Sequence, residues 1–274
     1  MFKIFLKIIL FFTPVIIPII LAGGLFGLNG AIAGLIVSSI LCVIISINAS
    51  RIMLRIYRAR PTVPGEFSNI KDKSLMLSKR AGVAMPAIHI TELMLPGSLV
   101  IGNSSDKTAI IVPARLLNSF NDEELEASLA YNIVQINNTI HLRTLAALIT
   151  GIFTMAASAV RWGAVFTGFG DYNDPAPRLF GAFITGLAAP PAATMIHSVS
   201  TQDYDKQAAE LCGNPDALIS AIERLENSKV TGYPSLGFLC LVDPQKETFF
   251  EHLFDTHPPK EIRVKNLIKT GKIA

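Results

Sequence analysis

The chain has 274 residues, of which 50% are hydrophobic and only 16% are charged, and its mean hydropathy is +0.45. Soluble globular proteins carry about 25% charged residues, so part of this chain is predicted to lie in lipid. The net charge of +3 is too small for a nucleic-acid-binding protein, and we expect no nucleic-acid partner. Its three cysteines form no CxxC pair, which argues against a disulfide framework or a thiolate metal site.

The first part of the chain, residues 1–60, is predicted to be a transmembrane hairpin. No charged side chain occurs from Ile8 to Ser50, and about 20 residues of helix cross the hydrocarbon core. The run is long enough for two crossings, near 6–23 and 30–49, with a glycine-rich break between them. Basic residues flank both outer ends, at Lys3, Lys7, Arg51, Arg55, Arg58 and Arg60. The positive-inside rule therefore predicts that both ends of this hairpin are cytoplasmic.

A second transmembrane hairpin is predicted over residues 143–196. Residues 144–160 and 179–202 are uncharged and rich in Ala, Gly, Thr and Ser, a composition typical of membrane helices that pack against other helices. A buried hairpin in a soluble domain is the alternative interpretation. The remaining parts, 61–142 and 197–274, are predicted to form the two halves of one cytoplasmic domain.

The first half of that domain is predicted to contain a small sheet followed by a long helix. A helix is predicted in NIKDKSLMLSKRAGV, and the pieces AIHITEL, GSLVIGN and TAIIVPARLL are predicted to be strands because they are rich in Ile, Val and Thr. The next segment, NSFNDEELEASLAYNIVQINNTIHL, has apolar residues at helical spacing. Asn121 and Glu124 are spaced as a capping box at its start. We expect this helix to run directly into the third membrane segment.

The order of these features resembles the HtpX family of integral-membrane zinc metallopeptidases. The resemblance is carried by KRAGVAMPAIHI, PGSLVIGN, IIVPARLLNSFNDEELEASLA, QAAELCGNPDALISAIERL and LFDTHPPKEIRVKNL, which cover most of residues 75–267. It implies an α+β membrane protein, mostly helical, with a zincin-like cytoplasmic domain, a small β-sheet and four membrane helices in two hairpins. The second half of the cytoplasmic domain is then helical.

The resemblance also implies a zinc site, but this sequence lacks the residues of that site. The family's HExxH helix reads LAYNIVQIN here, so the two histidine ligands fall on Tyr131 and Gln135, and the glutamate base falls on Asn132. The third ligand, a glutamate four residues before an aspartate, falls on Thr201. A neutral phenol and an amide are poor zinc ligands, and an asparagine cannot take a proton from water. We therefore predict that zinc is absent and that there are no catalytic residues.

The sequence suggests two other candidate sites, a displaced metal site and a peptide-binding edge strand. A displaced metal site could involve His141, His197 or Asp203, although a single histidine is more often a core or surface residue. The histidine of the THPP sequence is expected to hold a loop or a helix start through hydrogen bonds. An extended peptide or partner could add to an edge strand by main-chain hydrogen bonds, and the resemblance suggests such an edge at Gly97, Ser98, Leu99, Val100 and Ile101.

These observations predict a catalytically inactive HtpX-like protein that acts as a binding, scaffold or accessory subunit of a membrane complex. Its expected location is a prokaryotic cytoplasmic membrane, with the soluble domain facing the cytoplasm. Its expected partners are the lipid bilayer, other membrane-protein subunits and unfolded or extended peptide segments. The alternative is an active zinc-dependent membrane endopeptidase with relocated ligands. A transporter or channel has less support, because the predicted membrane segments carry no acidic residue of the kind that marks ion pathways.

Overall fold

The secondary structure is mostly helical with one small sheet. The computed structural model describes residues 2–63, 65–137, 139–168, 201–228, 230, 239–243 and 257–271, together with positions 171, 179 and 184. The helices are α1 Phe2–Gly24, α2 Gly27–Ile56, α3 Ser68–Ala81, α4 Ala114–Ser119, α5 Asp122–Val134, α6 Ile140–Thr167, α7 Thr201–Cys212, α8 Pro215–Asn227 and α9 Lys260–Gly271. The strands are β1 Arg60–Pro61, β2 Ala87–Thr91, β3 Leu99–Ser104 and β4 Lys107–Pro113.

The sheet has four strands in the order β1-β2-β4-β3, so β3 is an outer strand. Strand β2 runs parallel to β4, and β1 and β3 run antiparallel to their neighbours. The predicted small sheet is therefore confirmed. One detail of the prediction was wrong, because TAIIVPARLL is not a single strand: β4 ends at Pro113 and the next residue begins α4. A proline cannot donate to a strand ladder, and it suits the position before a helix.

The sheet separates two apolar layers. Side chains of successive strand residues point to opposite faces, and β3 follows that rule. Val100 packs in a cluster with α5, α7 and α8, whereas Leu99 and Ile101 pack in a second cluster with residues of α2 and α6. One face of the sheet thus belongs to the soluble core, and the other lies against the long apolar helices.

Two of the described helices, α2 and α6, are long and apolar enough to cross a membrane. Helix α1 contains a shorter apolar stretch, Val15–Gly24, and packs closely on α2. A Cβ atom on Gly23 would overlap the carbonyl oxygen of Gly30, and one on Gly34 would lie 2.8 Å from the carbonyl oxygen of Ile19. Only glycine permits this approach of two helix backbones. The predicted fourth segment, 179–202, lies almost entirely outside the described residues.

Helix α5 begins as predicted but ends earlier. The capping box is confirmed: the Asn121 side chain accepts from the Glu124 backbone N–H at 2.8 Å, and the Glu124 carboxylate accepts from the Asn121 N–H at 3.0 Å. The prediction that this helix runs directly into the membrane segment was wrong. A turn separates the two helices, because the Asn137 side chain accepts from the backbone N–H and the hydroxyl of Thr139 at 2.8 and 2.6 Å. Such side-chain bonds compete with helix continuation.

Candidate functional site

Tyr131 of α5 lies at the centre of a buried cluster of polar side chains from several segments. Its side chain packs between α7 and the segment before α9, and the residue is 1% exposed. Its hydroxyl lies 3.0 Å from Nε2 of His257. Burial raises the pKa of the Tyr131 phenol above its ordinary value, so the group is neutral at any physiological pH.

His257 connects that hydroxyl to an acidic residue. Its Nδ1 lies 3.1 Å from Oδ1 of Asp243, and its backbone N–H donates to Oδ2 of the same carboxylate at 3.1 Å. A carboxylate only accepts hydrogen bonds, so Nδ1 carries a proton, and Nε2 accepts from the Tyr131 hydroxyl when it carries none. The result is a continuous hydrogen-bonded series from Asp243 through His257 to Tyr131. His257, the histidine of the THPP sequence, thus makes the expected hydrogen bonds just before α9.

A buried ion pair lies beside this series. Arg263 of α9 donates to both carboxylate oxygens of Asp205 on α7, at 2.8 and 2.6 Å, and to the carbonyl oxygen of Leu241 at 2.7 Å. The two side chains are 0% and 3% exposed. The guanidinium carbon lies 5.9 Å from the centroid of the Tyr131 ring. Because both carboxylate oxygens and all three guanidinium nitrogens form hydrogen bonds, the pair satisfies the conditions under which a buried ion pair is tolerated.

Two amide side chains at the end of α5, those of Asn132 and Gln135, are buried but incompletely hydrogen-bonded. Asn132 donates to Oγ of Ser98 at 2.6 Å and to the carbonyl oxygen of Ser128 at 3.0 Å. Its Oδ1 has no hydrogen-bond partner among the described residues. The same holds for both polar atoms of Gln135, whose side chain is fully buried at the end of α5.

These residues do not fit a zinc ion on α5. The Tyr131 phenol is neutral and hydrogen-bonded to a histidine, and the Asn132 nitrogen is already donating to two oxygens. The remaining candidates are the amide oxygens of Asn132 and Gln135, which bind zinc weakly. In the part of the chain that the structure describes, no group of three His, Cys, Asp or Glu side chains could hold a metal ion.

The residues considered for a displaced metal site are not brought together where they are described. His141 lies in the first turn of α6, and its Nε2 is 3.1 Å from the hydroxyl of Ser46 on α2. Asp203 is exposed in the first turn of α7 and lines an open groove of about 870 Å³ between α5 and α7. Thr201 is the first residue of α7, and His197 lies outside the described residues.

The predicted edge, Gly97 to Ile101, is not open to solvent. Strand β3 begins at Leu99, and the side chains from position 98 to 101 are at most 2% exposed. On its outer side, Leu99 forms an antiparallel bridge with Cys240, and the backbone N–H of Gly102 donates to the hydroxyl of Thr144 on α6 at 3.0 Å. Part of the chain itself therefore covers the outer edge of β3.

Asp243 and Arg263 also belong to this cluster, and neither was predicted from the sequence. Arg263 carries little local signal, because it is one of several charged residues of α9 and its burial depends on its pairing with Asp205 of α7. Asp243 lies in a short stretch without periodicity, so nothing in its neighbourhood indicates its partner. Only the fold brings it next to His257.

Comparison with known proteins identifies relatives over most of the chain. A protein named Protease HtpX homolog from Desulfatibacillum aliphaticivorans is 32% identical over 229 residues, which is 80% of this chain and 74% of that protein. Proteins of the same name from Pelotomaculum thermopropionicum and Pyrococcus abyssi are 29% and 30% identical, over 92% and 80% of this chain and 93% and 78% of their own lengths. No family model matches the chain, and no solved structure matches it.

These relatives overturn the prediction of an inactive scaffold that is not an enzyme. They are named as proteases, and the similarity extends over 80% of the chain or more. The prediction of inactivity depends on four positions of the sequence and gives less weight to the rest of the chain. It was wrong, and the alternative of an active membrane peptidase fits these relatives better.

Proposed function

Since the chain belongs to the HtpX family, we propose that it is a membrane-bound endopeptidase that acts on polypeptides. The observation that carries the proposal is the match to relatives named as proteases over 80% of the chain. The long apolar helices α2 and α6 support a membrane location. The basic residues around the first hairpin support a cytoplasmic position for the soluble part, in a prokaryotic cytoplasmic membrane.

The polar cluster around Tyr131 supplies groups that peptide hydrolysis can use. A base that takes a proton from the attacking water accelerates hydrolysis, and a third group often orients that base. His257 has that arrangement, because Asp243 fixes its tautomer and leaves Nε2 as a proton acceptor. In the described structure Nε2 faces the Tyr131 hydroxyl, so a water or a substrate group would have to take the place of that hydroxyl.

Helix α5 is proposed to hold no zinc, since Tyr131, Asn132 and Gln135 offer one neutral phenol and two amides. A zinc ion used by this chain then has its ligands outside α5, and at least one of them outside the described residues. This part of the proposal is tested by replacing Tyr131→His, Asn132→Glu, Gln135→His and Thr201→Glu together. We expect the quadruple variant to bind about one more zinc per chain than the native protein, measured by metal analysis after gel filtration.

The proposal of peptidase activity is tested on the full chain in mild detergent with unfolded casein as substrate. We expect cleavage products by mass spectrometry, and loss of cleavage in His257→Gln. The matched control is His89→Gln, because His89 lies in β2 and is not part of the cluster. A folded native protein that yields no cleavage products would overturn the proposal.

A chelator identifies the type of chemistry in the same assay. Cleavage that stops in the chelator and returns with zinc indicates relocated ligands. Cleavage that persists in the chelator but still requires His257 indicates that the histidine works without a metal ion.

A further inference from the structure

One face of α2 is a stripe of large aliphatic side chains that the rest of the protein leaves exposed. Each of them is more than half exposed, and they are Ile36, Ile40, Ile44 and Ile47. Because a helix turns once in about 3.6 residues, positions three and four apart lie on the same face. Arg51 and Arg55 continue that spacing, and both are exposed. The stripe therefore changes from isoleucines to arginines within one helical turn.

The opposite face of the same helix is fixed to the sheet. Met53 is buried in the cluster that also contains Leu99 of β3. The Ser50 hydroxyl donates to Oδ1 of Asn103, also on β3, at 2.8 Å. The two arginines of the stripe therefore lie on the side of α2 that faces away from the sheet, and the helix end that carries them is attached to the sheet.

Three arginines at this end of the hairpin carry charges that the protein does not neutralise. They are Arg51, Arg55 and Arg58, the last of which lies two residues after the end of α2. Within the described residues, none of their guanidinium groups forms a hydrogen bond or an ion pair. Arg60 differs, because it donates to both carboxylate oxygens of Glu66 at 2.9 and 2.7 Å. Glu66 is also the first acidic residue of the chain, so α1 and α2 supply no counter-charge.

The geometry of α2 places these charges at the level of lipid headgroups. The uncharged part of the helix ends at Ser50, and the polar layer on each side of the hydrocarbon core is about 5–8 Å thick. Four residues of helix rise about 6 Å, so Arg51 and Arg55 both lie within that layer. Side chains of a helix lean towards its N-terminus, which at this end of α2 is the direction of the membrane. The arginine side chains therefore lean towards the lipid phosphates.

We propose that Arg51, Arg55 and Arg58 form a binding site for the headgroup of an anionic phospholipid, in the leaflet next to the soluble part of the protein. A guanidinium group forms paired hydrogen bonds with a phosphate, and arginine suits this contact better than lysine does. The acyl chains of the same lipid lie along the stripe of isoleucines that precedes the arginines. A bound lipid thereby holds the end of α2, and the sheet attached to it, at the membrane surface. The site goes beyond the proposed function and does not depend on peptidase activity.

The test uses the full chain in mild detergent and native mass spectrometry, which counts the lipids bound to each protein. The probes are phosphatidylglycerol and phosphatidylcholine with the same acyl chains, because both contain a phosphate but only the first has a net negative charge. A basic residue near a membrane surface strengthens the binding of anionic lipid by about fivefold. We expect the native protein to bind phosphatidylglycerol at least about tenfold more tightly than phosphatidylcholine. Equal binding of the two lipids would overturn the inference.

A triple variant tests the three arginines, namely Arg51→Gln with Arg55→Gln and Arg58→Gln. The matched control removes three exposed positive charges from α3 and α9, helices that pack on the other face of the sheet. Its substitutions are Lys79→Gln, Lys265→Gln and Lys269→Gln. We expect the arginine variant to lose the preference for phosphatidylglycerol and the control to keep it. A preference that survives in the arginine variant, or that falls equally in the control, would show that the arginines do not form the site.

Inorganic phosphate separates a lipid site from a site for soluble anions. We expect excess phosphate to displace no more phosphatidylglycerol than chloride does at equal ionic strength, because only the lipid also contacts the stripe of isoleucines. Greater displacement by phosphate would mean that the arginines bind a soluble anion, and the inference would be wrong.

A second measurement on the native chain applies if the arginine variant does not insert into the membrane. It uses phosphatidylglycerol that carries a photoactivatable crosslinking group on its headgroup, and mass spectrometry of the crosslinked peptides. We expect crosslinks within residues 47–58. Crosslinks confined to other parts of the chain would overturn the inference.

Discussion

The two ends of α5 differ in how their buried polar groups are satisfied. At the first turn, Glu124 is 1% exposed and accepts hydrogen bonds from Ser220, from Arg224 and from the backbone of Asn121. Burial by itself would raise the pKa of Glu124, but these hydrogen bonds outweigh it, and the pKa lies below its ordinary value. This end of the helix is a structural anchor between α5 and α8.

At the last turn, the amide oxygen of Asn132 and both polar atoms of Gln135 are buried without a hydrogen-bond partner in the described part of the chain. An unsatisfied buried polar group costs about 1–3 kcal/mol. Folded proteins keep such costs mainly at functional or strained sites. The buried polar groups of α5 itself are therefore satisfied at its first turn, whereas the candidate site lies at the end where two amide side chains are left unsatisfied.

The largest effect is expected at the ion pair beside the last turn. Replacing Asp205→Ala leaves the charge of Arg263 buried without its carboxylate, so the free energy of unfolding should fall by about 3–5 kcal/mol. The measurement is denaturant-induced unfolding in mild detergent. Asp203→Ala is the control, because Asp203 is exposed two residues earlier, and it should change stability by less than about 0.5 kcal/mol. Equal effects would mean that the ion pair does not secure this end.

A smaller loss of stability is expected at the first turn of α5, where Glu124 joins α5 to α8. Glu124→Gln keeps the shape of the side chain but removes the charge that Ser220 and Arg224 bond to, which should lower the free energy of unfolding by about 2 kcal/mol. Glu123→Gln is the matched control on the exposed side of the same turn. An unchanged midpoint of unfolding in Glu124→Gln would remove the distinction between the two ends.

The pH dependence of stability tests the same residue. The pKa of Glu124 is lower in the folded protein than in the unfolded chain, so its contribution is fully present above the unfolded value of about 4.3. It is lost as the pH falls below that value towards the folded pKa. The native protein should therefore lose more stability than Glu124→Gln between about pH 5 and about pH 3. Parallel pH curves for the two proteins would contradict this.

A loss of about 1 kcal/mol is expected for Tyr131→Phe, because it removes one hydrogen bond to His257 while the ring stays in place. A double-mutant cycle with His257→Gln isolates that bond. We expect a coupling energy of about 1 kcal/mol, measured by unfolding. If the two substitutions are additive, the hydroxyl and the ring nitrogen do not interact.

The smallest effect is expected for Gln135→Met, which removes an unsatisfied amide and keeps the volume. Its free energy of unfolding should be unchanged or higher by about 1 kcal/mol. The matched substitution Glu124→Met, at the other end of the helix, should be strongly destabilising because it leaves Arg224 without its partner. A loss of more than about 1 kcal/mol in Gln135→Met would reveal a partner for that amide.

Much of the local structure is predictable from the sequence. The capping box of Asn121 and Glu124 depends on residues three positions apart, so it is visible in the sequence. The end of α5 is less visible, because the Asn137 turn competes with a helical pattern that continues through it. The resemblance shows which residues occupy the family's zinc-ligand positions. It does not show which side chains these residues contact in the folded protein. Tyr131 meets a residue 126 positions away, and no local pattern indicates that contact.

The prediction of function was wrong because it depended on single positions and not on the similarity of the whole chain. Replacement of four positions led to the prediction of an inactive protein, and the relatives named as proteases contradict it. Individual substitutions are easy to see, whereas the similarity of a whole chain needs a comparison. The two kinds of observation have to be weighed together, because a site can be built from residues that are distant in sequence.

By itself, the sequence determined where the apolar helices, the strands and the helix start at Asn121 lie, since these depend on composition and on spacings of a few residues. It also determined which residue types occupy α5. Only the tertiary structure decided that Asp243, His257 and Tyr131 form one hydrogen-bonded series, and that Leu99 of β3 forms a bridge with Cys240. The physical reason is that these contacts join segments far apart in the chain, so their formation depends on how the helices and the sheet pack.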